Sequence, residues 1–253
     1  MTDGEHTAGF GASWDRYVED AKAAGQAWPG DDWGDETLWR AWFDRLFVGF
    51  GVDGWQRAVE IGQGTGKYTK FVLDAGRAEL LACDVSQRFL DLCGERLVDD
   101  VAAGRLKLTK IAEDDPASVR DVAERIGWLG SVDAVYSIDS LVHVPFTFFA
   151  SYLLQATEIL KPGGRFIATF AHGLTDAGQR KLIADVGRVV RAGGRPETGC
   201  FHWIAPELLE RTAATIGFRV EICDADPLHG RDGHFVATFE DPQAAKSARD
   251  AAR

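Results

Sequence analysis

The stretch Val59–Thr69, VEIGQGTGKYT, sets Glu60, Gly62, Gly64 and Gly66 at two-residue intervals and follows them with Lys67. Glycines at that spacing let backbone pass close to a ligand, and a lysine behind them invites a phosphate-binding reading. A phosphate loop of the form G-x-x-x-x-G-K-[ST] needs a glycine at 61 and a hydroxyl at 68; Ile61 and Tyr68 stand there instead. A dinucleotide loop of the form G-x-G-x-x-G needs its third glycine at 67, where strand and helix pack closely. Lys67 occupies that position, which weakens a nicotinamide-dependent reading without removing it. Asp84, in LLACDV, stands twenty residues beyond Gly64. A carboxylate there can accept hydrogen bonds from both hydroxyls of a ribose, a device shared by several adenosine-type ligands.

A second group of residues could do acid–base chemistry. His143 in IDSLVHVP follows a strand-like run, and parallel sheets bind ligands beyond the carboxyl ends of their strands. A neutral imidazole there could take the proton of an acceptor hydroxyl; the competing reading is a structural histidine bonded to backbone. Asp139, four residues earlier, could orient that imidazole or share a divalent cation such as Mg²⁺ with it. His172 could face the same cavity, and Trp203 in CFHW could contact substrate or simply pack. Trp28 and Trp33 flank a polar PGDD segment. Indole faces beside carboxylates suit a sugar, whose C–H groups stack on the ring while the acids take hydroxyls.

These residues need a scaffold that brings strand ends together. From residue 57 onward strand-like runs alternate with helical ones: RAVEIG, AELLACDV, RLKLTKI, SVDAVYSI and KPGGRFIATFAH, each followed by a segment of helical periodicity. SQRFLDLCGERLVDDVAAG is predicted as one helix with a Ser cap and a Gly stop. This alternation predicts an α/β fold, a doubly wound and mostly parallel sheet of seven strands. FRVEICDAD and HFVATFE are joined by a linker too short for a crossover helix, so they are expected as an antiparallel hairpin. Residues 1–13 are predicted to be loose, 1–56 to form an N-terminal helical cap, 57–240 the catalytic domain and 241–253 a flexible tail.

The chain has 253 residues, 45% hydrophobic and 26% charged, with a formal net charge of −11. Broad nucleic-acid or anionic-membrane binding needs a basic footprint, so neither is expected. No run approaches a membrane span, no basic-then-apolar leader opens the chain, and four scattered cysteines suit reduced thiols in the cytoplasm. Arg exceeds Lys and Ala is abundant, a composition suggesting a bacterial source.

The acid-x-Gly-x-Gly-x-Gly spacing of Glu60, Gly62, Gly64 and Gly66, with Asp84, resembles the class I S-adenosylmethionine-dependent methyltransferases over roughly residues 57–240. The resemblance implies S-adenosylmethionine as cofactor, with Val85 on the adenine face, Ile111 and Ala112 at the adenine edge, and Ser137 beside the sulfonium. LKPGGRF matches the turn into the family's fifth strand. IDSLVHVP further resembles the cation-binding loop of ubiquinone-pathway O-methyltransferases, with Val142 where those enzymes carry a second acid. The Asn/Asp-Pro-Pro-Tyr signature of nitrogen methylation is absent, so oxygen is the expected nucleophile. The expected acceptor is a small hydroxylated molecule, with a sugar or short (manno)oligosaccharide of polysaccharide biosynthesis favoured and a homodimer left open. A nicotinamide-dependent oxidoreductase and a non-catalytic cofactor-binding protein are the alternatives.

Overall fold

The computed structural model describes residues 10–115, 117–191, 193 and 199–252. Of the stretch expected to be loose, 1–9 lie outside the described residues. Phe10 already begins helix α1 (Phe10–Ala23), and α2 (Glu36–Leu46) follows after the Trp28–Trp33 loop. Asp35 caps α2 by accepting the Leu38 N–H at 2.9 Å, a contact worth about 1 kcal/mol.

Strands β1 (Arg57–Ile61), β2 (Glu79–Asp84), β3 (Leu106–Lys110) and β4 (Val132–Ser137) then alternate with α3 (Lys67–Ala75), α4 (Gln87–Arg96), α5 (Val98–Ala102) and α6 (Ser118–Arg125). The single helix expected over 86–104 is two, because Leu97 leaves the helical region (φ −117°, ψ 35°) while its side chain is buried. After α7 (Phe146–Ile159) comes β5 (Leu160–His172), and the expected Pro-Gly-Gly turn is looped out within it. Pairing passes from Val132↔Leu160 to Ala134↔Arg165, and Gly163 sits at φ 79°. Helix α8 (Asp176–Arg191), a two-residue strand β6 (Trp203–Ile204), α9 (Pro206–Ile216), β7 (Phe218–Ala225), β8 (Asp232–Phe239) and α10 (Pro242–Ala252) complete the chain.

The sheet order is β3-β2-β1-β4-β5-β8-β7, parallel except that β8 runs antiparallel to both β5 and β7. These are the seven strands expected; β6, too short to signal itself in sequence, adds an eighth beside the end of β5. One face of the sheet is covered by α6, α7 and α9, with Phe149, Leu153 and Leu209 fully buried against Phe166 and Phe235. The other is covered by α2 and α3, where Trp42, Phe47, Val72 and Leu73 pack on Tyr136 and Ile167. Each such side chain contributes about 1.5–3 kcal/mol of burial, far more than any single cap. Residues 242–252, expected within a flexible tail, form α10. Ala245 is fully buried and Arg249 donates to Thr157 Oγ1. No helix among the described residues is long and apolar enough to cross a membrane.

The N-terminal helices do more than cover hydrophobic surface. Asp15 Oδ1 accepts from Ser86 Oγ at 2.6 Å and from the Arg88 N–H at 3.0 Å, and Glu19 pairs with Arg88 at 3.0 Å. The Gly11 N–H donates to the Glu113 carboxylate. In the following loop, Asp31 pairs with Arg96 at 3.0 Å, and the Pro29 and Gly30 carbonyls accept from Thr65 Oγ1 (3.4 Å) and Lys67 Nζ (3.1 Å). The cap is thus fastened at both ends to the loops after β1, β2 and β3.

Candidate active site

The carboxyl ends of β1, β2 and β4 meet at the glycine loop. Gly62 stands at φ 72°, its N–H donating to Cys83 O at 2.7 Å, and an added Cβ would lie 1.8 Å from Ser140 Oγ. Gly64 is at φ 55° with open space where a Cβ would go, and its N–H points to Asp84 Oδ2 at 3.3 Å. Gly66 caps α3 at φ 83°, pressed against Cys93 and Leu97. Glu60 lies beneath this loop and off the cavity wall. It is 2% exposed, and its Oε2 accepts from Thr69 Oγ1 at 2.6 Å and Tyr136 OH at 3.0 Å. Burial pushes its carboxyl up to about 7. The acid of the motif therefore ties β1 to α3 and β4 and sets the loop's shape from below.

Above the loop is a cavity of about 980 Å³, its open mouth included, walled by the strand ends, α1 and the cap loop. Gly62, Gly64, Asp84, Val85, Ile111 and His143 all lie on its wall. Asp84 is held by the Ser86 N–H at 2.8 Å as well as by Gly64, and burial raises its carboxyl to about 6. Ala112 and Ser137 are not on the wall. Ala112 is exposed, and the neighbouring Glu113 faces the cavity. Ser137 is fully buried with an unpartnered Oγ; Ile138, Asp139, Ser140 and Leu141 line the cavity beyond it. Backbone free to approach a ligand at Gly64, a carboxylate at the next strand end and apolar groups at Val85 and Ile111 fit an adenosine carrying an amino-acid tail. The antiparallel β8 between β5 and β7 departs from the 3-2-1-4-5-6 order of dinucleotide folds.

The pair expected between Asp139 and His143 is not formed. Asp139 takes a left-handed conformation (φ 55°) and a 3₁₀ turn spans Leu141–His143, which sends the two side chains to different partners. His143 Nδ1 lies 3.2 Å from Cys200 O. A carbonyl only accepts, so Nδ1 carries the proton and Nε2 is left as an acceptor. Burial pushes this imidazole down to about 4, so it is neutral. Trp14 and Phe201 flank it edge-on at 5.2 and 5.1 Å. The Asp139 carboxylate instead lies 3.8 Å from Arg231 Nη2, and burial with nearby Asp232 pushes it up to about 7. The ligand set expected for Mg²⁺ is therefore not assembled, and no cluster of three or more His, Cys, Asp or Glu suited to a metal occurs among the described residues.

Of the residues expected to contact substrate, Trp33 lines the cavity, 5.2 Å from Tyr17 and 6.0 Å from Trp14 between ring centroids. Trp28 packs beside α1 and α4, with the Arg96 guanidinium 5.2 Å from its ring centroid. His172 is buried at the end of β5, stacked 5.6 Å from Phe170, with Nδ1 accepting from the Leu174 N–H. Trp203 packs on Phe201 at 5.7 Å and does not reach the cavity wall. Sequence reasoning passed over Phe10, Trp14, Lys67 and Tyr68, which do line it. Lys67 was set aside with the failed phosphate motif, yet its buried ammonium, pushed down to about 8, sits 3.8 Å from the Trp39 ring centroid. For Trp14, a signal was available: it shares a helix face with Tyr17 and Val18.

Comparison with known proteins agrees with this geometry. Residues 59–166 match the family model described as a methyltransferase domain, while no curated protein matches the sequence. Among solved structures, phosphoethanolamine N-methyltransferase 2 of Haemonchus contortus, with S-adenosylhomocysteine bound, aligns at TM-score 0.63 and 15% identity. It covers 93% of this chain and 61% of its own. Magnesium protoporphyrin IX methyltransferase of Synechocystis PCC 6803, with bound S-adenosylhomocysteine, aligns at 0.56 and 16%, covering 90% and 93%. The CurJ carbon methyltransferase aligns at 0.53 and 17%, covering 74% of this chain. The chain spans 49% of the CurJ chain and 61% of the Haemonchus one. At these identities the likeness is one of fold. The methyltransferase-domain match over residues 59–166, with the glycine loop and Asp84 on one cavity, makes this part of the chain similar to the class I S-adenosylmethionine-dependent methyltransferases.

Proposed function

We propose that the protein methylates a hydroxyl oxygen of a small molecule, with a sugar or short (manno)oligosaccharide as the favoured acceptor and His143 as general base. One observation carries the reading: a neutral imidazole, its Nδ1 fixed by Cys200 O and its Nε2 open as an acceptor, shares a cavity wall with Gly64 and Asp84. Asp84 would hold the ribose hydroxyls of the cofactor, Val85 and Ile111 its adenine, and the backbone at Gly62 and Gly64 its amino-acid end. When bound, S-adenosylmethionine supplies an electrophilic methyl group on a positively charged sulfur.

The chain's own contribution is positioning and proton transfer. Phe10, Trp14 and Trp33 roof the cavity against water, and their faces suit the C–H groups of a sugar ring. His143 Nε2 would take the proton that the acceptor hydroxyl gives up on methylation, the methyl–sulfur bond breaking to leave S-adenosylhomocysteine as the other product. The Cys200 carbonyl then supports the imidazolium through the Nδ1–H it already accepts. General-base assistance of this kind is worth roughly 10²–10⁴ in rate, and orientation supplies more. Four free cysteines accord with a cytoplasmic setting. The three structural neighbours are named for phosphoethanolamine, a porphyrin and carbon methylation, so the acceptor must be sought in this chain's own walls.

A methyl-release assay over sugars, phenols and polyketides tests the proposal. A hydroxylated acceptor is expected to be methylated. His143→Gln should then lose about 10²–10⁴ of the rate while S-adenosylhomocysteine binds unchanged by calorimetry. A His143→Gln enzyme within threefold of wild type would remove the base from the mechanism.

A further inference from the structure

Among the described residues, Asp139 alone of the non-glycine residues has a positive φ, at 55°. Strain of this type, of order 1–3 kcal/mol, persists only where the surroundings hold it in place. Here the Asp139 N–H is anchored on Thr169 Oγ1 at 2.8 Å, and the residue lines the cavity. No hydrogen bond from the described residues reaches its carboxylate. The nearest cation, Arg231 Nη2, is 3.8 Å away, and its guanidinium is committed to Asp232, with Nε at 2.9 Å and Nη2 at 2.5 Å. Asp226 adds a third buried carboxylate, occupied by the Leu228 and His229 N–H groups. Lys67, the cation on the cavity wall, donates to Gly30 O and lies against Trp39. Asp139 and Asp232 therefore share one guanidinium, and Asp139, the one on the cavity wall, is the one left without a donor.

A second, independent feature lies on the same wall. Tyr68 is 6% exposed, and its hydroxyl has no hydrogen-bond partner. A buried polar group without a partner costs free energy that a ligand can recover. A carboxylate and a hydroxyl, both lacking donors, are met by a group that brings several N–H donors and a positive charge. An ammonium brings three donors and no acceptor. In a shielded site its attraction to a carboxylate exceeds the surface value. A neutral hydroxyl offers an ionised Asp139 no counter-charge, and an anionic group would repel it.

We propose that Asp139, with the Tyr68 hydroxyl as a second contact, recognises an ammonium group on the acceptor, so that the acceptor is an aminated molecule of the amino-sugar class. This rests on the methyltransferase reading for the identity of the cavity, but not on which acceptor atom is methylated. Saturation-transfer NMR on the full chain, saturated with S-adenosylhomocysteine, compares D-glucosamine, D-glucose and D-glucuronate. D-glucosamine is expected to bind at least about tenfold more tightly than D-glucose, the equivalent of 1.4 kcal/mol, with D-glucuronate weakest. Asp139→Asn should abolish that preference, and Tyr68→Phe should reduce it. Asn is among the residues most tolerant of positive φ, so the loop geometry survives the exchange. Binding of D-glucosamine no tighter than D-glucose, a preference for D-glucuronate, or a preference unchanged in Asp139→Asn would overturn the proposal. Because the measurement reads binding, failure to methylate any hydroxyl would count against oxygen transfer and leave amine recognition standing. Loss of the amine preference would do the reverse.

Discussion

Gly62 and Gly64 share a loop and a positive φ, yet their replacement by alanine should fail in different ways. At Gly62 the left-handed backbone alone costs an alanine about 1–2 kcal/mol. The new Cβ would also lie 1.8 Å from Ser140 Oγ and 2.5 Å from Ser140 Cβ. The hydroxyl can rotate away, but the Cβ moves only with its backbone, so overpacking adds about 1–3 kcal/mol. The sum, roughly 2–5 kcal/mol, is a large part of a typical domain's stability and should lower Tm by on the order of 5–15 °C. At Gly64 nothing lies within 4 Å of the added Cβ, so only the backbone cost of about 1–2 kcal/mol applies. That Cβ would project into the cavity where the cofactor is proposed to bind. Denaturant unfolding and calorimetry with S-adenosylhomocysteine separate the two effects. Gly62→Ala should be strongly destabilised and partly rescued by Ser140→Gly. Gly64→Ala should stay folded and bind S-adenosylhomocysteine at least about tenfold more weakly, a loss of 1.4 kcal/mol. If Ser140→Gly restores nothing, or Gly64→Ala binds as wild type does, the loop does not work as described.

Three further outcomes follow from the same geometry. Glu60→Gln should gain stability relative to wild type as pH rises from about 4.5 to 7 and hold that gain above 7. A carboxyl raised to about 7 in the fold binds more protons there than in the unfolded chain across that window, so its ionisation costs stability as pH rises. Paired melting curves at pH 5 and pH 8 check the sign. Trp33→Ala should raise the acceptor KM with little change in Tm, while Trp28→Ala, beneath Arg96 and beside α4, should lower Tm with the acceptor KM unmoved; a reversed pattern would misplace the acceptor. EDTA should leave turnover unchanged, since the Asp139 and His143 side chains have separate partners, and a loss restored by Mg²⁺ would show a cation site.

What could be read from the sequence was local. Glu60, the three glycines and Asp84 stand at strand ends and in one tight loop, so their spacing nearly fixes their placement. Ser137 and Ala112 illustrate the limit. Ser137 still pairs with Ala168 in the ladder, and only residues beyond that last pair turn over the sheet edge into the cavity. Asp139 and His143, four residues apart after a strand, were expected as a carboxylate–histidine pair or as ligands of one cation. A single left-handed residue and a 3₁₀ turn undo that inference, and Cys200, 57 residues away, takes the imidazole instead. The tryptophans signalled aromatic surface but not which indole faces the cavity. That depends on how α1 docks on α4, a contact between segments some 70 residues apart in sequence.

The fastening of the cap also bears on how such a protein can be altered. Gly11, Asp15, Pro29, Gly30 and Asp31 bind to Glu113, Ser86, Thr65, Lys67 and Arg96, which lie in the loops after β3, β2 and β1, at the start of α3 and at the end of α4. On the proposed reading of the cavity, acceptor preference and cofactor grip are consequently not separable modules. A chimaera that imported a relative's N-terminal segment alone would arrive without its five counterparts. Transplanting a new specificity onto this scaffold means moving both halves of the clasp together.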